Sequence, residues 1–325
     1  MSLDPELAGV MEHVAGAKSF ADLLSDPSGL LRLEAFGSGR LAYSPPNVPV
    51  HNVKAPGPNG PVGVRVYGGG AKAGSVYSSP GVPGLVWLHG GGFAGGSLDM
   101  READQLAREL VHRTGGMVFS VDYRLARKGV HFPVPHHDVL AAWLWATDNA
   151  GHYGVNPAML CLGGASAGAN LAVGAAMYLN DIGEPLPARM LLAYPFLHSG
   201  LPALNSSDAA LHALPRLLRF TADDCRAMVE NYIGGPVGTA SSYAVPGDAD
   251  PRGMPPTSVL AAEYDDLRAS AERYVLCLRE AGVPVNFHIE AGATHGYLNH
   301  SAGMAVVQRG LSFLAEELES AKRFQ

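Results

Sequence analysis

Five consecutive residues, Gly164-Ala165-Ser166-Ala167-Gly168, have the types and the spacing that present a serine as a nucleophile. The apolar run Met159–Gly163 before them predicts a buried strand, and the small-residue stretch Ala169–Leu179 after them predicts a helix. A sharp turn between such a strand and helix lifts the serine hydroxyl clear of the sheet. Glycine fits most easily two positions before and after that serine, so Ser166 is the predicted nucleophile.

Acyl chemistry at a serine also needs donors for the oxyanion that develops. The stretch His89-Gly90-Gly91-Gly92-Phe93 follows a second buried-strand pattern, Gly84–Leu88. Consecutive glycines expose their backbone N–H groups because no Cβ shields them, and a glycine motif of this kind contributes to a known oxyanion hole. The predicted donors are the N–H groups of Gly91, Gly92 and Ala167.

The base and the acid of a serine triad have candidates in the last quarter of the chain. His295 lies in a predicted loop after the alternating strand pattern Val285–Ile289, and Asp265 follows the strand pattern Thr257–Ala262. Both therefore follow strands, at the sheet edge where open α/β sheets place their chemistry. We predict that His295 takes the proton of Ser166 and that Asp265 fixes the histidine tautomer.

The same glycine-rich loop also suggests nucleotide binding as an alternative. The stretch Gly90–Gly95 also fits the dinucleotide fingerprint, and Asp122 ends a later strand pattern. However, Asp122 lies 122 − 92 = 30 positions beyond Gly92, where the fingerprint expects about 20. That interpretation leaves His89 and Ser166 unexplained, and the phosphate-loop motif is absent from the sequence. No nucleotide cofactor is predicted.

Together these motifs resemble the hormone-sensitive-lipase-like group of α/β-hydrolases, the microbial carboxylesterases with His-Gly-Gly-Gly ahead of the nucleophile. Further matching stretches run from about Val50 to the C-terminus; they are Asp122–Ala126, Phe132-Pro133, Tyr194-Pro195, Ala281–Val285 and His295–Tyr297. The order Ser166, Asp265, His295 is also that of α/β-hydrolases. The resemblance implies a mostly parallel eight-stranded sheet with helices on both faces and a helical cap.

The chain departs from the group's pattern at a few positions. Ala165 stands where the group usually has an acidic residue, and Asp266 stands where a proline usually follows the triad acid. Arg127 and Lys128 replace a Pro-Glu pair. These departures remove no predicted catalytic group, although Asp266 places a second carboxylate next to the triad acid. Asp265 is preferred because its position matches the motif.

Composition excludes several other classes of protein. The 325 residues carry 23 Lys and Arg against 30 Asp and Glu, a net charge of −7, without the basic clusters that nucleic-acid binding requires. Three scattered cysteines predict neither a disulfide framework nor a zinc site. The adjacent pair His136-His137 points to different helix faces, so no metal is predicted there. Without a long apolar stretch or a secretory signal, we expect a cytoplasmic protein that does not insert stably into membranes.

Three pieces of chain are predicted. Residues 1–45 contain candidate helices around Pro5–Ala15 and Ser19–Leu24, and Val48–Tyr67 resembles two antiparallel edge strands. Strands then alternate with helices, so 46–196 and 256–325 form an α/β core. The stretch 197–255 lacks a clear strand, has helical patterns at Ala210–Phe220 and Ala222–Tyr232, and is expected to be an inserted segment.

In the resembled group, the inserted segment and the N-terminal helices cover the active site. The residues then expected to wall a substrate pocket are Phe93, His198, Leu211, Leu214, Phe220, Tyr297 and Leu298. The group also suggests a homodimer through the last strand, Val285–Ile289.

The resemblance implies hydrolysis of a small-molecule ester with short or medium acyl chains through an acyl-enzyme, without a cofactor. An amidase, deacetylase or carbamate hydrolase would use the same triad and stays open at this point. A non-catalytic binding protein on the same fold is the third alternative, and it is disfavoured because all three triad residues are present.

Overall fold

A single sheet organises the computed structural model, which describes residues 2–39, 42–69, 81–202 and 209–321. The other positions lie outside the described residues, and each of the three predicted pieces of chain includes some of them. The strands are β1 (Val50–Ala55), β2 (Val62–Tyr67), β3 (Val82–Leu88), β4 (Met117–Asp122), β5 (Val155–Ala165), β6 (Met190–Ala193), β7 (Thr257–Tyr264) and β8 (Val285–Thr294).

The strands lie in the order β1-β2-β4-β3-β5-β6-β7-β8. The β1/β2 and β2/β4 pairs are antiparallel, and every other neighbouring pair is parallel. This mostly parallel, eight-stranded sheet confirms the predicted fold class. Because β5, β7 and β8 run in the same direction, their carboxyl ends meet at one edge of the sheet, where open α/β sheets form their ligand-binding crevices.

Helices cover both faces of the sheet. The α-helices are α1 (Pro5–Ala8), α2 (Phe20–Ser25), α3 (Gly29–Ser38), α4 (Asp104–Thr114), α5 (Val134–Asn149), α6 (Ala167–Ile182), α7 (Ala209–His212), α8 (Ala222–Ile233), α9 (Arg268–Glu280) and α10 (Ala305–Ser320). Short 3-10 helices occupy Met11–Val14, Ala150–Tyr153, Arg216–Leu218, Val237–Thr239, Pro246–Asp248 and Tyr297–Asn299.

Alternating side chains of the strands divide the interior into two apolar cores. In β3, Val86 and Leu88 face the core that α5, α6 and α9 cover, whereas Leu85 and Trp87 face the core beneath α4 and α10. All four side chains are fully buried. A strand buried on both faces is a near-continuous apolar run, which is why the sequence around the site shows no polar alternation.

Three details of the sequence interpretation were wrong. Only β1 of the two N-terminal strands lies at the sheet edge, because β2 also pairs with β4. The helix Gly29–Ser38 was missed, since its glycines weaken the helical pattern. The predicted helix Ala210–Phe220 is broken after His212, and Pro215 precedes the 3-10 turn that follows.

Candidate active site

The nucleophile candidate lies at the strained turn between β5 and α6. Ser166 has φ 53° and ψ −117°, a backbone conformation that costs a side-chain-bearing residue about 1–3 kcal/mol. Its N–H donates to the Ala193 carbonyl (2.9 Å), and its carbonyl accepts from the N–H groups of Asn170 (3.2 Å) and Phe196 (3.3 Å). Backbone bonds on both sides therefore hold the turn in place.

The two glycines of the turn are required by close backbone contacts. A Cβ at Gly168 would overlap the Leu88 and His89 carbonyl oxygens. A Cβ at Gly164 would lie 2.7 Å from the Leu88 carbonyl oxygen and 2.5 Å from the Gly168 carbonyl carbon. The Gly-x-Ser-x-Gly spacing thus lets the start of α6 pack directly on the end of β3, where the second glycine motif begins.

A continuous hydrogen-bond chain joins the three predicted triad residues. Nδ1 of His295 lies 2.7 Å from Oδ2 of Asp265, and Nε2 of His295 lies 3.0 Å from Oγ of Ser166. The other oxygen of Asp265 accepts the Leu267 N–H at 2.8 Å, which fixes the carboxylate. The side chain of His295 is 11% exposed and that of Asp265 is fully buried, so the histidine is accessible from solvent while the acid is shielded from it.

The charge around His295 favours its protonated form. Burial lowers the pKa of His295, but the charge of Asp265 and its hydrogen bond, with further contributions from Glu102 and Asp266, outweigh burial. The pKa of His295 therefore lies above its usual value of 6.5. A base whose protonated form is stabilised in this way suits proton abstraction from a serine hydroxyl near neutral pH.

The glycine loop after β3 lies beside the serine. Gly90 is so close that an added Cβ would lie 3.3 Å from Cβ of Ser166. Gly91 and Gly92 both have positive φ, 122° and 58°, which only glycine adopts without strain. Ala167 is the first residue of α6, and free N–H groups at a helix start favour developing negative charge. These positions suit the three predicted oxyanion donors.

A buried carboxylate that sequence reasoning missed supports this loop. Glu102 accepts the Gly90 N–H at 2.8 Å through Oε1 and the Tyr194 hydroxyl at 2.5 Å through Oε2. The ring of Tyr194 meets the His295 ring edge-on, with centroids 5.0 Å apart. Glu102 thus connects the glycine loop to Tyr194, which packs against His295. Glu102 lies in a stretch with three other charged residues, Asp99, Arg101 and Asp104, so the sequence alone does not distinguish it from exposed carboxylates.

The predicted pocket residues lie in different parts of the structure. Phe220 lies against the triad, its ring centroid 4.7 Å from that of His295. Phe93 is fully buried and stacks on Tyr232 at 4.1 Å, so it supports the glycine loop from behind. Leu211 and Leu214 pack with Tyr264 in a small separate cluster.

Three other predicted pocket residues have buried side chains. The ring of His198 is buried, and its Nδ1 lies 2.7 Å from the Ser270 hydroxyl in α9. Tyr297 and Leu298 are buried in the core beneath α10, and the Tyr297 hydroxyl abuts Gly310. The 3-10 turn Tyr297–Asn299 directs the Tyr297 side chain toward α10, a direction that the spacing alone did not indicate.

A further residue reaches the site from the inserted segment. Met228, on α8, places its Sδ 2.9 Å from where a Cβ of Gly92 would be, so it covers the glycine loop. Among the described residues, no three His, Cys, Asp or Glu side chains cluster as a metal site would require. Asp138 of the His136-His137-Asp138 stretch instead accepts from the Arg124 backbone N–H at 2.9 Å.

A mostly parallel sheet with a serine on the strand-to-helix turn defines the α/β-hydrolase class, and a family model for the alpha/beta hydrolase fold matches residues 85–299. The carboxylesterase NlhH of Mycobacterium tuberculosis is 32% identical over 247 residues, covering 74% of this chain and 75% of that protein. The chain therefore belongs to the α/β-hydrolase family, in its hormone-sensitive-lipase-like group.

Other relatives share the fold and most of the chain. The arylacetamide deacetylase of Bos taurus is 29% identical over 297 residues, covering 72% of this chain and 74% of that protein. The solved structure of a bacterial heroin esterase superposes with a TM-score of 0.78 at 31% identity and covers 98% of both chains. In the described part of this chain, no helix is both long and apolar enough to cross a membrane.

Proposed function

We propose that the protein is a serine carboxylesterase that acts through Ser166, His295 and Asp265. Its enzyme class is that of the carboxylic ester hydrolases, to which its similar relatives belong. The observation that carries the proposed mechanism is the unbroken chain from Asp265 through His295 to Ser166, with links of 2.7 and 3.0 Å. No cofactor takes part.

The reaction follows from which atom faces which. Oγ of Ser166 attacks the ester carbonyl carbon while Nε2 of His295 takes the hydroxyl proton. Asp265 holds the Nδ1 proton and stabilises the imidazolium that forms. His295 then gives its proton to the leaving alkoxide, and an acyl-Ser166 ester remains. Water attacks that ester with the same proton transfers, which releases the acid and restores Ser166.

The oxyanion of each tetrahedral intermediate is stabilised by the N–H groups of Gly91, Gly92 and Ala167. Loss of one such donor slows comparable enzymes by about 10²–10³ in kcat. The positive φ of both glycines turns their peptide planes away from an ordinary strand direction, and Glu102 fixes the start of this loop at Gly90.

The acyl preference is tested with p-nitrophenyl esters from acetate to palmitate. We expect kcat/KM to peak at short or medium chains, because Ser166 is 8% exposed and Met228 approaches the glycine loop from the inserted segment. The matched control is Ser166→Ala. A folded wild-type protein with no turnover above that control would remove the esterase proposal.

The pH dependence of kcat/KM is expected to show an acid limb with its midpoint above pH 6.5. His295 accepts a proton only when neutral, and its pKa is raised by Asp265, so activity falls as the pH drops through that raised pKa. p-Nitrophenyl acetate is the suitable substrate because it does not ionise. A midpoint below 6.5 would contradict the charge arrangement around His295.

Replacement of Glu102 by glutamine is expected to lower kcat by about 10–100-fold, an effect of about 1–3 kcal/mol from one misplaced buried donor. The glutamine oxygen can accept the Gly90 N–H, but the glutamine N–H then faces Tyr194 and donates to its oxygen, so the Tyr194 hydroxyl proton loses its acceptor. Steady-state kinetics on p-nitrophenyl acetate and the melting temperature are the measurements.

Glu109→Gln is the matched control for Glu102→Gln. Like Glu102, Glu109 is a buried glutamate. It lies on α4 and forms an ion pair with Arg113. We expect both variants to lose stability but only Glu102→Gln to lose kcat. Equal kcat losses would show that Glu102 contributes only to folding.

Amide or deacetylase activity is the second candidate function. Similarity to the arylacetamide deacetylase of Bos taurus favours it, and the same triad serves both reactions. Turnover of an acetanilide that exceeds turnover of phenyl acetate by the same preparation would move the assignment to this class.

A further inference from the structure

The residue after the proposed triad acid is a second, nearly buried carboxylate with partners of its own. Oδ2 of Asp266 accepts Nε–H of Arg219 at 2.8 Å, and Oδ1 accepts from Nη2 of Arg219 at 3.0 Å. Oδ2 also accepts the backbone N–H of Phe220 at 2.8 Å. The two side chains are only 10% and 19% exposed, so this paired, two-point contact is the strong form of an arginine–carboxylate interaction.

These contacts join the inserted segment to the loop that carries the triad. Arg219 and Phe220 lie between the 3-10 turn Arg216–Leu218 and the start of α8, which Thr221 caps. Asp266 lies in the loop between β7 and α9, directly after Asp265. Three hydrogen bonds to the Asp266 carboxylate therefore fix Arg219 and Phe220 relative to Asp265.

The fixed segment places an aromatic ring on the catalytic base. The rings of Phe220 and His295 meet edge-on, with centroids 4.7 Å apart and planes at 73°. In the proposed reaction, Nε2 of His295 must reach the leaving alkoxy oxygen to protonate it. The group attached to that oxygen therefore extends past the His295 ring, on which Phe220 packs.

We propose that Phe220 is a specificity-determining residue that limits the size of the alcohol half of the ester, and that Asp266 and Arg219 are positioning residues that hold it there. This inference rests on the proposed function, because only ester hydrolysis gives His295 an alcohol to protonate. It also gives Asp266 a role in the position where the resembled group has proline. The substrate class it predicts is esters of small alcohols.

The test compares ethyl, butyl and benzyl acetate, assayed by release of acid, in wild type, Phe220→Ala and Arg219→Met. We expect the benzyl-to-ethyl ratio of kcat/KM to rise about tenfold or more in Phe220→Ala, as for other pocket truncations. Arg219→Met should also raise the benzyl-to-ethyl ratio, but by a smaller factor, because the Phe220 ring is still present although Arg219 no longer fixes its position.

Two further variants separate positioning from general loosening of the segment. Arg219→Lys keeps the charge but loses the two-point contact, so it should restore part of the wild-type ratio. In the double variant Phe220→Ala/Arg219→Met, the loss of Arg219 should add less than about twofold, since residues that act as a unit are not additive. Arg252→Met is the matched control, because Arg252 pairs with Asp250 inside the same segment and, within the described residues, forms no side-chain hydrogen bond or ion pair with Arg219 or Phe220.

Several outcomes would overturn the inference. An unchanged benzyl-to-ethyl ratio in folded Phe220→Ala and Arg219→Met does so, as do fully additive effects or an equal change in Arg252→Met. If Phe220→Ala changes only the preference for acyl-chain length, measured as kcat/KM on p-nitrophenyl acetate, butyrate and octanoate, then Phe220 contacts the acyl half of the ester and not the alcohol half. Failure of the proposed function is a separate result: wild type then hydrolyses ethyl acetate no faster than Ser166→Ala, and both proposals fall.

Discussion

Replacement of Ser166 by alanine is expected to reduce kcat on p-nitrophenyl acetate by about 10⁶-fold, the size of the loss when a triad serine is removed elsewhere. Without Oγ, no acyl-enzyme forms, and His295 has no hydroxyl to activate. A residual rate of about 10³–10⁴ over water is expected from the oxyanion donors and from binding. Steady-state assays with high enzyme concentration measure both rates.

The same variant should remain folded. Ser166 is held by backbone hydrogen bonds to Ala193, Asn170 and Phe196, and alanine keeps all of them. Its side chain is small and 8% exposed, so we expect the melting temperature to change by no more than a few degrees. A Ser166→Ala enzyme that keeps more than about a hundredth of wild-type kcat would place the nucleophile elsewhere.

Replacement of Asp265 by asparagine should reduce kcat by about 10⁴-fold, as at other serine triads. An asparagine amide can direct N–H toward Nδ1 of His295, which then carries its proton on Nε2 and cannot accept one from Ser166. Removal of the charge also lowers the pKa of His295. The acid limb of the remaining activity is therefore expected at lower pH than in wild type, which a pH–rate profile measures.

The neighbouring variant Asp266→Asn is the comparison for Asp265→Asn. The two acids are adjacent, but Asp265 contacts His295, whereas Asp266 contacts Arg219. We expect Asp266→Asn to lose far less kcat and to show its main effect in alcohol selectivity. Similar losses in both variants would contradict the assignment of Asp265 as the acid of the triad.

The sequence was sufficient for the parts of the site that follow from backbone geometry. Ser166 could be found because a strand, a sharp turn and a helix leave glycines at fixed distances. Asp265 and His295 could be found because parallel strands bring their ends together, although β8 extends to Thr294, further than its alternating pattern indicated.

Side-chain directions after those strand ends could not be predicted in the same way. Tyr297 is only two residues beyond His295, but the 3-10 turn points it into the core beneath α10. Glu102 and Asp266 act through partners 92 and 47 positions away in the chain, namely Tyr194 and Arg219. Such contacts depend on how whole elements pack, and no local pattern encodes them.

The strand order has a consequence for when the enzyme gains activity. Ser166 directly follows β5 in the middle of the sheet, whereas His295 follows β8, an edge strand and the last in the chain among those described. Pairing of distant parallel strands is slow compared with local structure formation. We therefore expect a refolding chain that has formed the serine turn to stay inert until β8 docks, so that the onset of turnover marks this docking step.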